Sequence, residues 1–122
     1  MSRKYSISII DDDEITVNII ANALRKKGHN VSGHVHVNSF FNSFKMEKPD
    51  AVLVDMIHPQ MPGWQICRKI KDTPGLETIK LVAISGILEF TDMDMMNVQA
   101  DAYLEKPINA EDVEAALDKL QA

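Results

Sequence analysis

Short apolar runs that each end in a polar or charged group constrain the fold of this chain most strongly. Four such pairs are residues 6–10 with Asp11-Asp12-Asp13, 51–54 with Asp55, 81–84 with Ser85-Gly86, and 102–105 with Lys106-Pro107. Runs of this length and character are typical of strands buried on both faces of a parallel sheet. Because the carboxyl ends of parallel strands meet at one edge, we expect these polar groups to converge where open α/β sheets bind ligands.

Helical patterns separate the strands. Ile15, Ile19, Ile20 and Leu24 have the spacing of one face of a first helix, which Gly28 ends. Asp13 directly precedes this pattern and is expected to be its N-cap rather than a ligand. Later helices are predicted from Phe40, Phe41 and Phe44; from Trp64, Ile66, Cys67 and Ile70; from Met93, Met95, Met96 and Val98; and from Val113, Ala116, Leu117 and Leu120 after an Asn109 N-cap.

A further strand over residues 31–35 gives five strands that alternate with five helices. This order predicts an α/β fold with a doubly wound, five-stranded parallel sheet and helices on both faces. A length of 122 residues fits one domain over residues 1–122. Met1 and the complete last helix favour a stand-alone unit.

Composition narrows the range of functions. The net charge of −5 gives no electrostatic basis for binding nucleic acid. The single cysteine, Cys67, excludes an internal disulfide and a cysteine-based zinc site. The amino-terminal residues lack the apolar segment of a signal peptide, and no apolar stretch has the length of a membrane span. We therefore expect a cytoplasmic protein that binds neither nucleic acid nor membrane.

The groups predicted to meet at the sheet edge have complementary chemistry. Asp11, Asp12 and Asp55 would supply carboxylate oxygens, which Mg²⁺ prefers as ligands. Ser85 and Lys106 would add a hydroxyl and an ammonium. Such a set can hold a divalent cation and a phosphoryl group together, since phosphoryl transfer needs mainly positioning and neutralisation of charge.

Several motifs in order resemble the receiver domain of two-component response regulators. They are Asp11-Asp12 after the first strand, D-x-x-x-P-x-M-x-G over residues 55–63, Ser85-Gly86, and Lys106-Pro107. Each is weak alone, and together at strand ends they are specific. The resemblance covers nearly the whole chain and implies the flavodoxin-like strand order 2-1-3-4-5. It also implies a cis peptide bond before Pro107.

The resemblance assigns a role to each residue of the site. Asp55 would be the phosphoacceptor. Asp12, Asp55 and the backbone carbonyl of Ile57 would bind Mg²⁺ directly, and Asp11 would bind it through a water molecule. The other roles implied are hydrogen bonding of the phosphoryl group by Ser85, ion pairing with it by Lys106, and switching of an aromatic side chain at Tyr103.

The resemblance also implies partners. A histidine kinase or a histidine phosphotransfer protein would supply the phosphoryl group, and a protein target would bind a surface on the fourth helix, fifth strand and fifth helix. The chain would be a monomer or a weak, phosphorylation-dependent dimer, and it would not be an enzyme. Two alternatives remain open: a phosphorylation-independent receiver that acts as a scaffold, and a haloacid-dehalogenase-like phosphohydrolase that uses Asp11.

Some residues depart from the pattern of the family. His58 replaces an apolar loop residue, so that it could tune the site by pH or serve only in packing. Gln99 replaces a usual glycine and puts the geometry of the switch surface in doubt. His34 and His36 are expected to share a strand face, where two histidines alone are weak evidence for zinc. Ile57 and Ile87 predict a long-lived phosphoaspartate, because apolar side chains there should exclude water.

Overall fold

A computed structural model of the chain describes residues 3–86 and 100–121. Strands and helices alternate along these residues. The strands are β1 (Ser6–Ile10), β2 (Asn30–His34), β3 (Ala51–Asp55), β4 (Lys80–Ser85) and β5 (Ala102–Glu105). The helices of the described part are α1 (Glu14–Lys26), α2 (Val37–Ser43), α3 (Gly63–Asp72) and a C-terminal helix (Ala110–Gln121). The helix predicted from Met93, Met95, Met96 and Val98, together with Ile87 and Gln99, lies outside the described residues.

The five strands form one parallel sheet in the order β2-β1-β3-β4-β5. This confirms both the predicted fold class and the strand order that the resemblance implied. The register pairs Ile10 with Val54 and Asp55 with Ile84, so β1, β3 and β4 end side by side. The peptide bond between Lys106 and Pro107 is cis, as expected.

Apolar residues pack on both faces of the sheet because alternate side chains of each strand point to opposite sides. One cluster lies against α1 and the C-terminal helix and includes Ile7, Leu24 and Leu53. The other lies against α2 and α3 and includes Ile10, Phe40 and Val54. The central strand β3 is buried at every position, as the apolar run predicted. None of the described helices is long and apolar enough to cross a membrane.

Helix α1 turns a different face to the sheet from the one predicted. Ile20 and Leu24 are buried as expected, together with Val17 and Ala21. Ile15 and Ile19 are instead 70% and 62% exposed. The spacing of apolar residues was right for a helix, and the prediction that Ile15 and Ile19 belong to its buried face was wrong. Two large apolar side chains therefore remain at the surface beside the first helical turn.

The helix caps follow the sequence closely. The Asp13 carboxylate accepts a hydrogen bond from the Ile15 N–H, and the Asn109 side chain accepts one from Asp112, which confirms both predicted N-caps. Gly28 follows the end of α1 with φ of 97°, a backbone conformation that favours glycine. His36 is the N-cap residue of α2, so the prediction that it shares a strand face with His34 was wrong.

A buried histidine joins three elements at the amino end of the sheet. His29 is 4% exposed and lies between α1 and β2. Its Nδ1 accepts a hydrogen bond of 3.0 Å from the Tyr5 N–H, and its Nε2 lies 2.7 Å from a carboxylate oxygen of Glu114 in the C-terminal helix. The Tyr5 hydroxyl donates to Asp118, also in that helix. Burial and this hydrogen bond raise the pKa of Tyr5 to about 12.

Candidate functional site

Three carboxylates meet at the carboxyl edge of the sheet. Asp11 and Asp12 follow β1, and Asp55 is the last residue of β3. One oxygen of each lies within 4.8 Å of the others. Asp11 and Asp55 are buried, whereas Asp12 is exposed. The sequence prediction that these three side chains converge is confirmed, since the parallel strands that carry them end at the same level.

Lys106 provides the positive charge of the site. Its Nζ lies 3.3 Å from Oδ2 of Asp11 and 3.7 Å from Oδ1 of Asp55. The Lys106 N–H donates to the Ser85 carbonyl at 2.8 Å, which ties the end of β5 to the end of β4. The backbone hydrogen bond between neighbouring strands therefore fixes Lys106 where its ammonium lies close to both buried carboxylates.

The Asp55 carboxyl group has a raised pKa, at about 6. Burial is the largest cause, and the nearby charge of Asp11 raises the pKa further. A hydrogen bond from the Ile57 N–H at 3.1 Å and the charge of Lys106 act in the opposite direction. A buried carboxylate with an acidic neighbour gains from any cation placed beside it, so the electrostatics of the site favour binding of a metal ion.

The loop after β3 returns tightly against the strand. The Gly63 N–H donates to the Met56 carbonyl at 3.0 Å, and the Met56 N–H donates to the Ile84 carbonyl at 3.0 Å. A Cβ atom on Gly63 would lie 2.5 Å from the Met56 Cα and 2.9 Å from the Asp55 carbonyl oxygen. The glycine of the sequence motif is thus needed for this close approach to the residue next to Asp55.

Ser85 and Tyr103 occupy neighbouring strands. Ser85 is fully buried at the end of β4, where its hydroxyl donates to the Gly86 carbonyl at 3.1 Å. Tyr103 is half-buried on β5, opposite Ala83, and packs against the cluster next to α3. Ser85 therefore ends its strand beside Asp55, and Tyr103 lies two residues deeper in the sheet than Glu105, the residue opposite Ser85.

The donor set suits a hard divalent cation. Three carboxylates within reach of one ion match the oxygen ligands that Mg²⁺ prefers, with room in the octahedron for water and a backbone carbonyl. Among the described residues, this is the one group of three or more histidine, cysteine and acidic side chains that could hold a metal ion. His34 and His36 are not part of any such group there.

An apolar cavity of about 380 Å³ opens beside the charged groups. Its walls combine the charged side chains of the site with residues of α1, the sheet and the loop after β5. The lining includes Asp55, Lys106, Thr16, Ile19, Ile84 and Ile108. The exposed Ile19 is among the lining residues, so an apolar surface adjoins the charged groups.

The sequence did not predict the structural roles of two polar residues near the site. His58 is buried, with Nε2 at 2.8 Å from the Val35 carbonyl and Nδ1 at 3.1 Å from the Gln60 nitrogen. The Gln60 side-chain oxygen accepts from the Val37 N–H at 2.8 Å. The one signal in the sequence was a polar histidine at a loop position that is usually apolar. It could not identify partners more than 20 residues away.

Known proteins share this fold over its whole length. A receiver domain from Methylobacillus flagellatus matches 98% of this chain and 99% of its own, with a TM-score of 0.82 and 22% identity. A two-component response regulator from Clostridium difficile matches all of both chains, with a TM-score of 0.80 and 25% identity.

A sequence relative has a longer chain. The transcriptional regulatory protein AfsQ1 of Streptomyces coelicolor is 25% identical over 115 residues, which are 92% of this chain and 49% of that protein. The chain spans about half the length of the curated relatives it matches.

The family model of the response regulator receiver domain matches residues 7–118. Members of this family are signalling domains. The matched family is not one of catalytic enzymes. The match covers most of the chain and contains every strand end described above. The chain therefore belongs to the response regulator receiver domains of two-component signalling systems.

Proposed function

We propose that the chain is a phosphoacceptor module that receives a phosphoryl group on Asp55 and signals by binding another protein. The observation that carries the proposal is the geometry at Asp55: a buried carboxylate between two further carboxylates and the Lys106 ammonium, 3.7 Å away. The raised pKa of Asp55 supports the proposal as well. It indicates that Lys106 does not fully compensate for burial and for the charge of Asp11, as is common for reactive groups at functional sites.

In the proposed reaction, an Asp55 oxygen attacks the phosphorus of a phosphohistidine on a partner. The phosphorus–nitrogen bond breaks, and its electron pair stays on the leaving imidazole. Lys106 pairs with one phosphoryl oxygen, and the Ser85 hydroxyl donates to another. Bound Mg²⁺, held by Asp12, Asp55 and the Ile57 carbonyl and through water by Asp11, would neutralise charge on the transferring group. The chain itself catalyses only its own phosphorylation and dephosphorylation.

The test is the intact mass of the protein after incubation with Mg²⁺ and acetyl phosphate. We expect one added phosphoryl group in wild type and none in Asp55→Asn, since asparagine cannot form the acyl phosphate. Peptide mapping to Asp11 would support the phosphohydrolase alternative instead. If no Asp55-dependent adduct forms with acetyl phosphate or with a phosphohistidine donor, the chain is a scaffold.

The partner that supplies phosphate is proposed to be a histidine kinase or a histidine phosphotransfer protein. The cavity beside Asp55 supports this, because the exposed Ile19 and Asp55 both line it and so an apolar surface adjoins the phosphoacceptor. The net charge of −5 disfavours nucleic acid, and we propose that the occupant of this surface is a protein in the cytoplasm rather than a membrane.

Ile19→Asp should slow transfer from a phosphohistidine partner by about tenfold, as loss of one well-placed apolar contact does. Phosphorylation by acetyl phosphate should stay within about twofold of wild type, since Ile19 does not touch the phosphoryl group. Met46→Asp is the matched control, because Met46 is 91% exposed and outside this cavity. Equal slowing by both donors would contradict a docking role for Ile19.

Ile57 is proposed to protect the phosphoryl group from water. It lies two residues beyond Asp55, its N–H donates to the Asp55 carboxylate, and its 57% exposed apolar side chain gives water no hydrogen-bonding partner. Ile57→Asn should speed decay of the phosphorylated protein roughly 3- to 10-fold, or about 1 kcal/mol of barrier. The measurement is the loss of the phosphoryl mass with time, and slower or unchanged decay would refute the idea.

The output surface is proposed to include β5 and the C-terminal helix. After phosphorylation, the Ser85 hydroxyl would turn from the Gly86 carbonyl to a phosphoryl oxygen, and Tyr103 would move inward behind it. The half-buried position of Tyr103 next to Ala83 supports that movement. A protein target would bind this surface, with the chain a monomer or a weak, phosphorylation-dependent dimer.

A further inference from the structure

His58 lies in the loop that joins the phosphoacceptor to α3, and both of its ring nitrogens are occupied. Nε2 lies 2.8 Å from the Val35 carbonyl oxygen. Because a carbonyl oxygen can only accept, Nε2 must carry the hydrogen. The Gln60 backbone N–H donates to Nδ1 at 3.1 Å, so Nδ1 must be unprotonated. The ring is therefore neutral and held in one tautomer, with 5% of the residue exposed.

These hydrogen bonds connect two loops that are distant in sequence. Val35 lies between β2 and α2, whereas His58 lies between β3 and α3. Gln60 adds a second connection, because its side-chain oxygen accepts from the N–H of Val37, the first residue of α2. The His36 side chain makes no capping hydrogen bond there, so Gln60 satisfies a helix donor that would otherwise lack a partner in that cap.

Ile57 is located between two fixed points of the same loop. On one side, the Met56 N–H donates a hydrogen bond to the Ile84 carbonyl, and the Met56 carbonyl accepts one from the Gly63 N–H. On the other side, the His58 ring is hydrogen-bonded to the Val35 carbonyl and to the Gln60 backbone N–H. The Ile57 N–H itself donates to Asp55. The direction of the Ile57 carbonyl therefore depends on what holds His58.

We propose that His58 is a positioning residue that orients the Ile57 carbonyl for Mg²⁺, an inference that rests on the proposed function. The imidazole does not touch the ion or the phosphoryl group. It acts by holding the next peptide group against the β2–α2 loop. Groups that orient a metal ligand typically change metal affinity by about 10-fold or more when they are removed.

The chain contains a matched control at the other end of the sheet. His29 is also buried, its Nδ1 also accepts from a backbone N–H, and its Nε2 also lies within hydrogen-bonding distance of an oxygen. Its partners are Tyr5, which precedes β1, and Glu114 in the C-terminal helix, so these contacts lie at the amino end of the sheet and the site lies at the carboxyl edge. Loss of either histidine should lower stability, and only loss of His58 should change the affinity for Mg²⁺.

The experiment is a Mg²⁺ titration of the unphosphorylated protein. The readout is the fluorescence of Trp64, the single tryptophan, which lies near the start of α3. His58→Met should raise the half-saturating Mg²⁺ concentration by about 5- to 10-fold. His29→Met should leave that concentration unchanged. His58→Gln should lie within about 3-fold of wild type, because its amide N–H can still donate to the Val35 carbonyl.

Phosphorylation by acetyl phosphate adds a kinetic readout. His58→Met should require more Mg²⁺ but reach a maximal rate within about twofold of wild type at saturation, since the reacting groups are unchanged. A His58→Met protein that is folded and binds Mg²⁺ as wild type would overturn the proposal. So would an equal loss of affinity in His29→Met, which would indicate a general effect of destabilisation.

A measurement on wild type keeps the proposal testable if the variants do not fold. In a two-dimensional NMR titration with Mg²⁺, the resonances of the His58 ring and the Gln60 N–H should shift together with those of Asp12 and Ile57. Unmoved His58 and Gln60 signals would refute the proposal. Failure of wild type to take up phosphate would refute the proposed function instead and would leave this Mg²⁺ result to stand by itself.

Discussion

Lys106→Met is expected to slow phosphorylation of Asp55 about 100-fold, a loss typical when one donor that stabilises developing charge is removed. The Lys106 ammonium lies within 3.7 Å of the reacting carboxylate and at 3.3 Å from Asp11. Methionine keeps most of the side-chain length but removes the cation. The initial rate with acetyl phosphate at saturating Mg²⁺, read by intact mass, measures the effect.

Lys106→Met should also move the pH dependence of the reaction. The positive charge of Lys106 lowers the pKa of Asp55, so its removal raises that pKa above about 6, and the metal-free site should need a higher pH to ionise. Lys71→Met is the matched control, since Lys71 pairs with Asp101 at the same 3.3 Å in another part of the fold. Comparable losses in both variants would mean that Lys106 has no special role.

Asp55→Asn is expected to stabilise the metal-free fold above about pH 7, by roughly 1–3 kcal/mol in the free energy of unfolding. Burial and Asp11 raise the pKa of Asp55 from 3.8 to about 6, so the folded chain holds this proton more tightly than the unfolded chain. The stability that Asp55 contributes is complete below about pH 4 and is lost as the pH rises through about 6. Asparagine carries no charge and avoids that loss.

Urea unfolding of both proteins at about pH 5 and pH 8, without divalent cations, tests this prediction. The advantage of Asp55→Asn should be large at the higher pH and small at the lower pH. Asp13→Asn serves as a control because asparagine caps a helix about as well as aspartate. Mg²⁺ should stabilise wild type more than Asp55→Asn. A variant that is no more stable than wild type at pH 8 would show that Asp55 is not destabilising when charged.

The sequence predicted which side chains meet at the carboxyl edge of the sheet, because that arrangement depends on strand ends. The apolar runs before Asp11, Asp55, Ser85 and Lys106 identified four strands, and parallel pairing alone brings their carboxyl ends together. The caps at Asp13 and Asn109 depend on neighbours within three residues and were predicted for the same reason. Local patterns and one rule of sheet geometry were sufficient for these features.

Contacts between distant elements were less predictable. Periodicity showed that α1 is a helix but not which part of its apolar surface meets the sheet, so the exposure of Ile15 and Ile19 was missed. Their neighbour Val17 packs close to Gly33, where an added Cβ would lie 2.5 Å from the Val17 side chain. His29 bonds to Tyr5 and Glu114, and His58 bonds to Val35, only in the folded chain, and no local pattern predicts these distant partners.

The hydrogen bonds at the amino end of the sheet have a consequence for synthesis of the protein. Tyr5 and His29 obtain their side-chain partners from Asp118 and Glu114, which are translated long after them. Until the C-terminal helix leaves the ribosome, the side chains of Tyr5 and His29 lack these hydrogen bonds, and the amino end of the hydrophobic core is not covered by the helix. We therefore expect a nascent chain to remain protease-sensitive until the helix over Ala110–Gln121 emerges, and to become more resistant to proteases once that helix has packed.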